Sequence, residues 1–215
     1  MSTTVVIGNN TGNDYAGVED ALIYSPQPTN NWGSSNFLQI EKHASAESCS
    51  LVKFPLNSIE GGSTVISATL GLYGSNSWGT FVLVIRTVLR NWSESQVTYN
   101  IYSSGNNWGT AGCLGSGDRE SESLGSISST ITEQYHVLSG DSLSQKIKYF
   151  IDGDQSNYGF GIFREEESDT FEYFQFDSSD STDGQRPYLS VTYEQSVSSV
   201  FPWFLQHGQF NGGLL

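Results

Sequence analysis

The chain has 215 residues, only 15% of them charged, and its 23 acidic side chains outnumber nine basic ones to give a net charge of −14. This length suits one domain, with or without extensions, and a sizeable core. The excess of acids excludes nucleic acid and anionic membranes as partners, since no Lys/Arg cluster is present to neutralise phosphates, and no segment is apolar enough over about 20 residues to span a bilayer.

The predicted elements begin with an N-terminal arm, residues 1–18, in which Gly, Asn and Thr surround a strand-like piece at Thr3–Ile7. Residues 19–194 then carry apolar and aromatic runs about every ten residues, separated by turn residues, and this pattern is typical of a β-sandwich. The predicted strands are Ala21–Ser25, Phe37–Ile40, Cys49–Phe54, Thr64–Tyr73, Phe81–Leu89, one or two within Ile127–Val137, Tyr158–Arg164, Phe171–Phe176 and Tyr188–Glu194.

Two segments interrupt the strand pattern. Ser103–Ser126 is rich in Gly, Ser and Asn and is predicted to be a long loop. Asp141–Asp152 places Leu143, Ile147 and Phe150 at helical spacing, so we expect a short amphipathic helix that closes one end of the sandwich. The predicted fold class is therefore all-β: an antiparallel jelly-roll β-sandwich with one short helix and N- and C-terminal extensions.

The C-terminal residues 195–215 differ in kind from the rest. A polar linker, Gln195–Ser199, leads into a peptide that is apolar and aromatic. Such a peptide either folds back on its own domain or docks on a neighbour, because soluble monomers avoid exposed apolar patches. We interpret it as a docking peptide for a protein partner. The predicted docking residues are Val200, Phe201, Trp203, Phe204, Leu205, Phe210, Leu214 and Leu215.

A series of short motifs follows a recognisable order along the chain. They are Pro28–Gly33, Ser50–Phe54, Gly62–Val65, Ser67–Leu70, Leu72–Tyr73, Trp92–Glu94, Val97–Tyr99, Asn157–Phe160 and Pro187–Tyr193. With these motifs, residues 19–194 resemble the DNRLRE domains, jelly-roll modules related to the carbohydrate-binding modules found beside polysaccharide-degrading enzymes. The resemblance implies a non-catalytic fold that is often extracellular and often stabilised by calcium, and it does not fix a ligand.

Catalytic motifs are not evident in the sequence. The three histidines are scattered, and none belongs to a metal or triad motif. The acidic run Glu165–Glu167 lies between two predicted strands, where it is interpreted as a solvated hairpin tip and not as a pair of catalytic carboxylates. Cys49 and Cys113 either form one disulfide bridge or remain two separate buried thiols. We therefore predict that the chain is not an enzyme.

Calcium is the one cofactor for which the sequence offers candidate ligands. Asp177, Asp180 and Asp183 lie among serines in one acidic loop, and carboxylate oxygens are the ligands that calcium prefers. Their spacing does not match an EF-hand, so an ordinary solvated loop is the alternative to a calcium site.

Three tryptophans are candidates for stacking on sugar rings. Trp32 and Trp108 share the local sequence Asn-Asn-Trp-Gly, and Trp78 lies in Asn-Ser-Trp-Gly. An indole on a loop can stack on the apolar face of a sugar. The alternative is that each indole covers the end of its own core.

The organisation of the chain favours a structural assembly protein: a virion-surface subunit, either capsid decoration or fibre, of a bacteriophage. One module fills nearly the whole chain, residues 1–10 lack the features of a secretory signal, and the apolar tail suits docking on capsid or on other subunits of a homo-oligomer. The alternative is a carbohydrate-binding or adhesive module of a secreted, polysaccharide-active protein. It would be extracellular and would bind a surface glycan, and the resemblance and the loop tryptophans favour it.

Overall fold

The computed structural model describes residues 1–8, 17–129, 132–167, 169–182 and 184–196. The described residues form antiparallel strands and one helix. The elements are β1 (Ser2–Ile7), β2 (Glu19–Tyr24), β3 (Phe37–His43), β4 (Ala46–Lys53), β5 (Thr64–Trp78), β6 (Val82–Val88), β7 (Ile101–Ser103), β8 (Asn106–Asn107), β9 (Arg119–Ser128), β10 (Gln134–Ser139), α1 (Asp141–Asp152), β11 (Phe160–Arg164), β12 (Tyr173–Asp177) and β13 (Tyr188–Glu194).

One curled sheet of eleven strands builds the domain. Its strand order is β1-β13-β5-β12-β3-β4-β11-β6-β9, with β10 also beside β5 and β2 also beside β4, while β7 and β8 form a separate hairpin. The sheet folds over at the β3–β4 hairpin, so that the layer of β3, β12, β5, β13 and β10 lies opposite the layer of β4, β11, β6 and β9 across a shared core. This arrangement confirms the predicted all-β sandwich with a single helix.

The main core fills the space between the two layers. Period-two alternation sends Leu70 and Leu72 of β5 inward, and Phe174 of β12 and Ile162 of β11 join them with no measurable exposure to solvent. Burial of each such side chain contributes about 1.5–3 kcal/mol to folding. The core thus fixes which face of each strand remains available to solvent.

The helix α1 closes one end of the sandwich, as predicted. Its buried residues Leu143, Ile147 and Phe150 lie in the main core. The helix ends at Gly153, whose left-handed backbone (φ 77°) lets its N–H bond back to the Phe150 carbonyl. This helix falls short of the length and hydrophobicity of a membrane span, and the described part of the chain holds no other candidate.

The prediction of a long loop over Ser103–Ser126 is wrong. It includes the last residue of β7, the whole of β8 and most of β9, which pairs with β6 at the edge of the sheet. The strand was hidden because β9 is an edge strand whose one buried side chain is Ile127. Its Ser, Glu and Gly residues therefore show no apolar alternation.

The outer side of β4 and β11 carries a second, smaller core. Leu51 and Phe163 point out of that layer, and the segment 89–118 folds over them with Trp92. Cys49 and Cys113 lie in this cluster as free, buried thiols, which is the second of the two alternatives left open by the sequence. Burial raises the pKa of both thiols.

The N-terminal segment contributes directly to the sheet. β1 pairs in unbroken register with β13, from Ser2 opposite Glu194 to Ile7 opposite Leu189. Ile7 is buried in the main core. The strand-like piece of the predicted arm 1–18 is therefore an edge strand of the sandwich.

Candidate functional site

The most distinctive surface of the molecule is the side of the β3, β12, β5, β10 and β13 layer that points away from the core. We call it the outer face. The strand register places amide and aromatic side chains there in neighbouring rows. The outer face comprises Phe37, Gln39, Tyr73, Asn76, Trp78, Tyr135, Tyr173, Gln175 and Tyr188.

A row of amides crosses the middle of the outer face. Gln175 of β12 lies between Gln39 of β3 and Asn76 of β5 in the strand register. Gln175 Nε2 donates to Gln39 Oε1 (2.8 Å), and Asn76 Nδ2 donates to the Tyr173 hydroxyl (3.2 Å). Each amide has two N–H donors and an oxygen with two lone pairs, so one internal bond leaves capacity for a ligand.

An aromatic group, which we call the tryptophan end, flanks the amides on one side. Trp78 of β5 lies opposite Tyr173 of β12 and is 66% exposed. Phe171, just before β12, is 54% exposed, and its ring centroid lies 5.4 Å from that of Tyr173. More than half of the surface of each of these two rings is exposed, so it is accessible to a ligand.

Three tyrosines, the tyrosine end, flank the amides on the other side. The ring centroids of Tyr73 and Tyr135 lie 5.3 Å apart, and those of Tyr135 and Tyr188 lie 5.2 Å apart. The Tyr188 ring lies over Gly71, where an added Cβ would come within 2.2 Å of it. At 3.2–3.4 Å per strand residue, the tyrosine end and Trp78 are separated by about 15 Å along β5.

A buried carboxyl lies beside the tryptophan end. Glu41 of β3 is opposite Tyr173 in register and has no solvent exposure. Among the described residues its oxygens have no hydrogen-bond partner, and the His43 ring lies close by, with Nε2 3.8 Å from Glu41 Oε2. Burial raises the pKa of Glu41, while His43 and the Gln39 side chain lower it again. This carboxyl is thus inaccessible to a ligand in the structure.

The three tryptophans named from the sequence take different positions. Trp78 is on the outer face, and its stacking role stays a prediction. Trp108 is buried in the second core, where its Nε1 donates to the Thr98 carbonyl (3.0 Å), so it covers the core as the alternative reading had it. Trp32 is half-buried and lines a surface cavity of about 410 Å³ together with Phe37.

The acidic loop named from the sequence does not assemble a metal centre within the described residues. Asp177 is buried and accepts a hydrogen bond from the Ser181 hydroxyl (3.3 Å), Asp180 is exposed, and Asp183 lies outside the described residues. No group of three or more His, Cys, Asp or Glu side chains in the described ranges could hold a metal ion. Calcium binding therefore stays a prediction.

A second acidic group was missed in the sequence. Asp20 of β2 is buried: its Oδ2 accepts the Ser179 N–H (2.6 Å), and its Oδ1 has no hydrogen-bond partner among the described residues. Its backbone N–H donates to Glu94 Oε1 (2.9 Å). Burial is the main cause that raises the pKa of Asp20 to about 7, with a contribution from the nearby carboxylates of Glu94 and Asp180, while the hydrogen bonds from Ser179 act in the opposite direction. Only the contacts across the fold reveal this group, since the sequence shows just Glu19 and Asp20 at the start of an apolar strand.

The predicted docking peptide cannot be placed. All of its residues lie outside the described residues. They are Val200, Phe201, Trp203, Phe204, Leu205, Phe210, Leu214 and Leu215. Docking and oligomerisation through this segment stay predictions.

Fold and outer face together define a β-sandwich module with an open aromatic and amide surface, the kind of surface that accepts polar ligands with apolar faces. Residues 13–193 match carbohydrate-binding module family 96, and the chain belongs to this family. No curated protein sequence matches the chain. The family match confirms the wider likeness to carbohydrate-binding modules, while the narrower likeness to DNRLRE domains stays a resemblance.

Proposed function

We propose that this chain is a non-catalytic carbohydrate-binding module whose outer face binds the glycan. The observation that carries the proposal is the amide row between two aromatic groups on an open sheet face. A carbohydrate-binding module is non-catalytic in itself, which supports the absence of an enzymatic role.

In the proposed binding mode the aromatic rings and the amides make different kinds of contact with the glycan. Apolar faces of sugar rings stack on Trp78 and Tyr173, while sugar hydroxyls exchange hydrogen bonds with Gln39, Gln175 and Asn76. These side chains project from paired strands, so little conformational entropy is lost when the ligand binds. A ligand that reaches both aromatic groups extends over about 15 Å along β5, which favours a polysaccharide chain over a single sugar.

The first test measures polysaccharide binding by Trp78→Ala with isothermal titration calorimetry. We expect affinity to fall about 5- to 30-fold, because loss of a stacked ring removes roughly 1–2 kcal/mol. The matched control is Tyr149→Ala, which removes a 40% exposed ring from the helix α1 and should leave binding unchanged. Unchanged binding in both Trp78→Ala and Tyr173→Ala would contradict the proposed site.

The proposal also includes the cellular location of the protein and the partner that it binds. Carbohydrate-binding modules are commonly extracellular, which supports an extracellular glycan as the partner. The hypothesis of a bacteriophage virion subunit depends on the C-terminal peptide and on chain organisation. The family match favours the alternative of a carbohydrate-binding module over that hypothesis.

A further inference from the structure

A surface cavity of about 410 Å³ adjoins the outer face at the start of β3, and we call it the Trp32 cavity. Phe37, the first residue of β3, belongs both to the lining of this cavity and to the outer face. Gln39 of the amide row follows on the same side of the strand, about 6–7 Å further along β3. A glycan on the amide row that continues past Phe37 therefore meets the cavity. The cavity is lined by Asn31, Trp32, Ser34, Ser35, Asn36 and Phe37.

Two aromatic rings form the apolar part of the Trp32 cavity. Phe37 is 36% exposed, and Trp32 is half-buried. The Nε1 atom of Trp32 is covered from solvent, so the indole surface that lines the cavity is carbon. Carbon surfaces of aromatic rings are suited to pack against the C–H faces of a sugar.

Hydrogen bonds to neighbouring segments hold the chain around the Trp32 cavity. At one end, Asn31 Nδ2 donates to the Glu94 carbonyl (2.7 Å). At the other end, Ser178 donates its N–H to the Asn36 carbonyl (3.2 Å) and its hydroxyl to the Ser35 carbonyl (2.5 Å). Because two other segments of the fold fix this stretch of chain, the cavity is formed before a ligand arrives, which lowers the entropic cost of binding.

Two polar side chains of the lining take no part in the hydrogen bonds that hold the cavity. Ser34 and Asn36 are both exposed. A hydroxyl and an amide each donate and accept hydrogen bonds, as sugar hydroxyls do. Carbon surface together with a few polar groups is typical of small-molecule pockets, which range from about 300 to 1,000 Å³. The Trp32 cavity thus has the size and the lining of a pocket for a small polar ligand.

We infer that the Trp32 cavity is a further sugar-binding subsite, which takes one ring of a glycan whose neighbouring rings lie on the outer face. This inference rests on the proposed function and extends its site. It predicts that the module binds oligosaccharides that fill the cavity more tightly than those that cover the amide row alone.

The test first identifies a ligand and then varies its length. Glucan, mannan, xylan, galactan and polyuronate chains are screened by affinity electrophoresis, and oligosaccharides of increasing length are cut from the polymer that binds most tightly. Isothermal titration calorimetry then gives the affinity for each length. We expect the affinity to rise with length and to make its last gain when a ring reaches the Trp32 cavity.

Two variants change the Trp32 cavity without touching the outer face. Ser34→Tyr adds a ring at an exposed lining position and should remove the last gain in affinity, because the new ring takes the space of the sugar. Asn36→Ala removes one hydrogen-bonding group and should weaken binding of the longest oligosaccharides about 2- to 10-fold. Ser58→Tyr and Asn57→Ala make the same changes at exposed positions between β4 and β5, and they should leave every affinity unchanged.

The outcomes separate this inference from the proposed function. If Trp78→Ala weakens binding while Ser34→Tyr and Asn36→Ala leave the affinity for every length unchanged, the cavity is not a subsite and the proposed function stands. If no polymer binds, or if binding ignores Trp78→Ala and Tyr173→Ala, the proposed function fails and this inference fails with it.

Discussion

At the scale of single residues, Gly71 shows how one missing side chain shapes the surface. Glycine weakens a strand interior because it has no side chain to pack. Here its absence of a Cβ provides the space in which the Tyr188 ring lies, between β13 and β10. The tyrosine end of the outer face therefore depends on a residue that makes no side-chain contact of its own.

Gly71→Ala should displace Tyr188 and disturb the tyrosine end. The new methyl would meet the ring at 2.2 Å, so we expect a loss of about 1–3 kcal/mol in the free energy of unfolding and weaker glycan binding. Urea unfolding and calorimetry would measure both.

A double-mutant cycle provides the control for Gly71→Ala. In the background of Tyr188→Ala the same substitution meets no ring and should cost far less. An equal cost in both backgrounds would show that the destabilisation has another origin.

At the scale of elements, the segment 89–118 is a folded cover for the outer side of β4 and β11. Its last turn is held by Asp118, which accepts the backbone N–H groups of Gly109 (2.9 Å), Thr110 (2.9 Å) and Gly115 (3.1 Å) and a bond from Arg90 Nε (3.1 Å). These bonds hold the pKa of Asp118 below its usual value despite its burial.

Asp118→Ala should release this turn. Three backbone donors and Arg90 lose their acceptor at once, so we expect a loss of about 2–4 kcal/mol in the free energy of unfolding. Thermal unfolding followed by tryptophan fluorescence would report it, since Trp92 and Trp108 lie in the adjoining cluster. Asp180→Ala, at an exposed acid of another loop, is the control. A loss of the same size in both variants would point to net charge instead of the hydrogen bonds.

The elements also show what the sequence could and could not predict. Strands with one buried face, such as β5, and the helix α1 were predictable because apolar residues recur at their periods. The edge strand β9 was not, since nearly all of its side chains are polar or absent.

The sequence could predict a residue of the candidate site only where its role does not depend on neighbours from other strands. Trp78 is exposed as its stacking role requires, whereas Trp32 and Trp108 share one local sequence and end in different surroundings. Tyr73, Tyr135 and Tyr188 come together only through the pairing of β10, β5 and β13, and that register is a long-range property.

At the scale of the whole molecule, buried acids make stability depend on pH. Asp20 has an ordinary pKa of 3.8 and a folded pKa of about 7. Between these values the folded state keeps a proton that the unfolded chain releases, so the free energy of unfolding falls as pH rises. Burial also raises the pKa of Glu41 and of Glu94, which adds to the trend.

Asp20→Asn should flatten this dependence. The amide oxygen can still accept the Ser179 N–H, and the group no longer titrates, so Tm should decline less between pH 4 and pH 7 than in the parent protein. Differential scanning calorimetry across that range gives the slopes. Glu122→Gln, which removes an exposed acid, should keep the parent slope, and an unchanged slope in Asp20→Asn would rule out Asp20 as the source.

The pairing of β1 with β13 has a consequence for anything attached to the module. Ser2 and Glu194 are direct neighbours in the sheet, so the polypeptide enters and leaves at the same corner. A neighbouring domain joined at either of these two residues would therefore be attached at the same place on the module. The module could equally sit as an insertion within a host loop, with both junctions a single strand spacing apart.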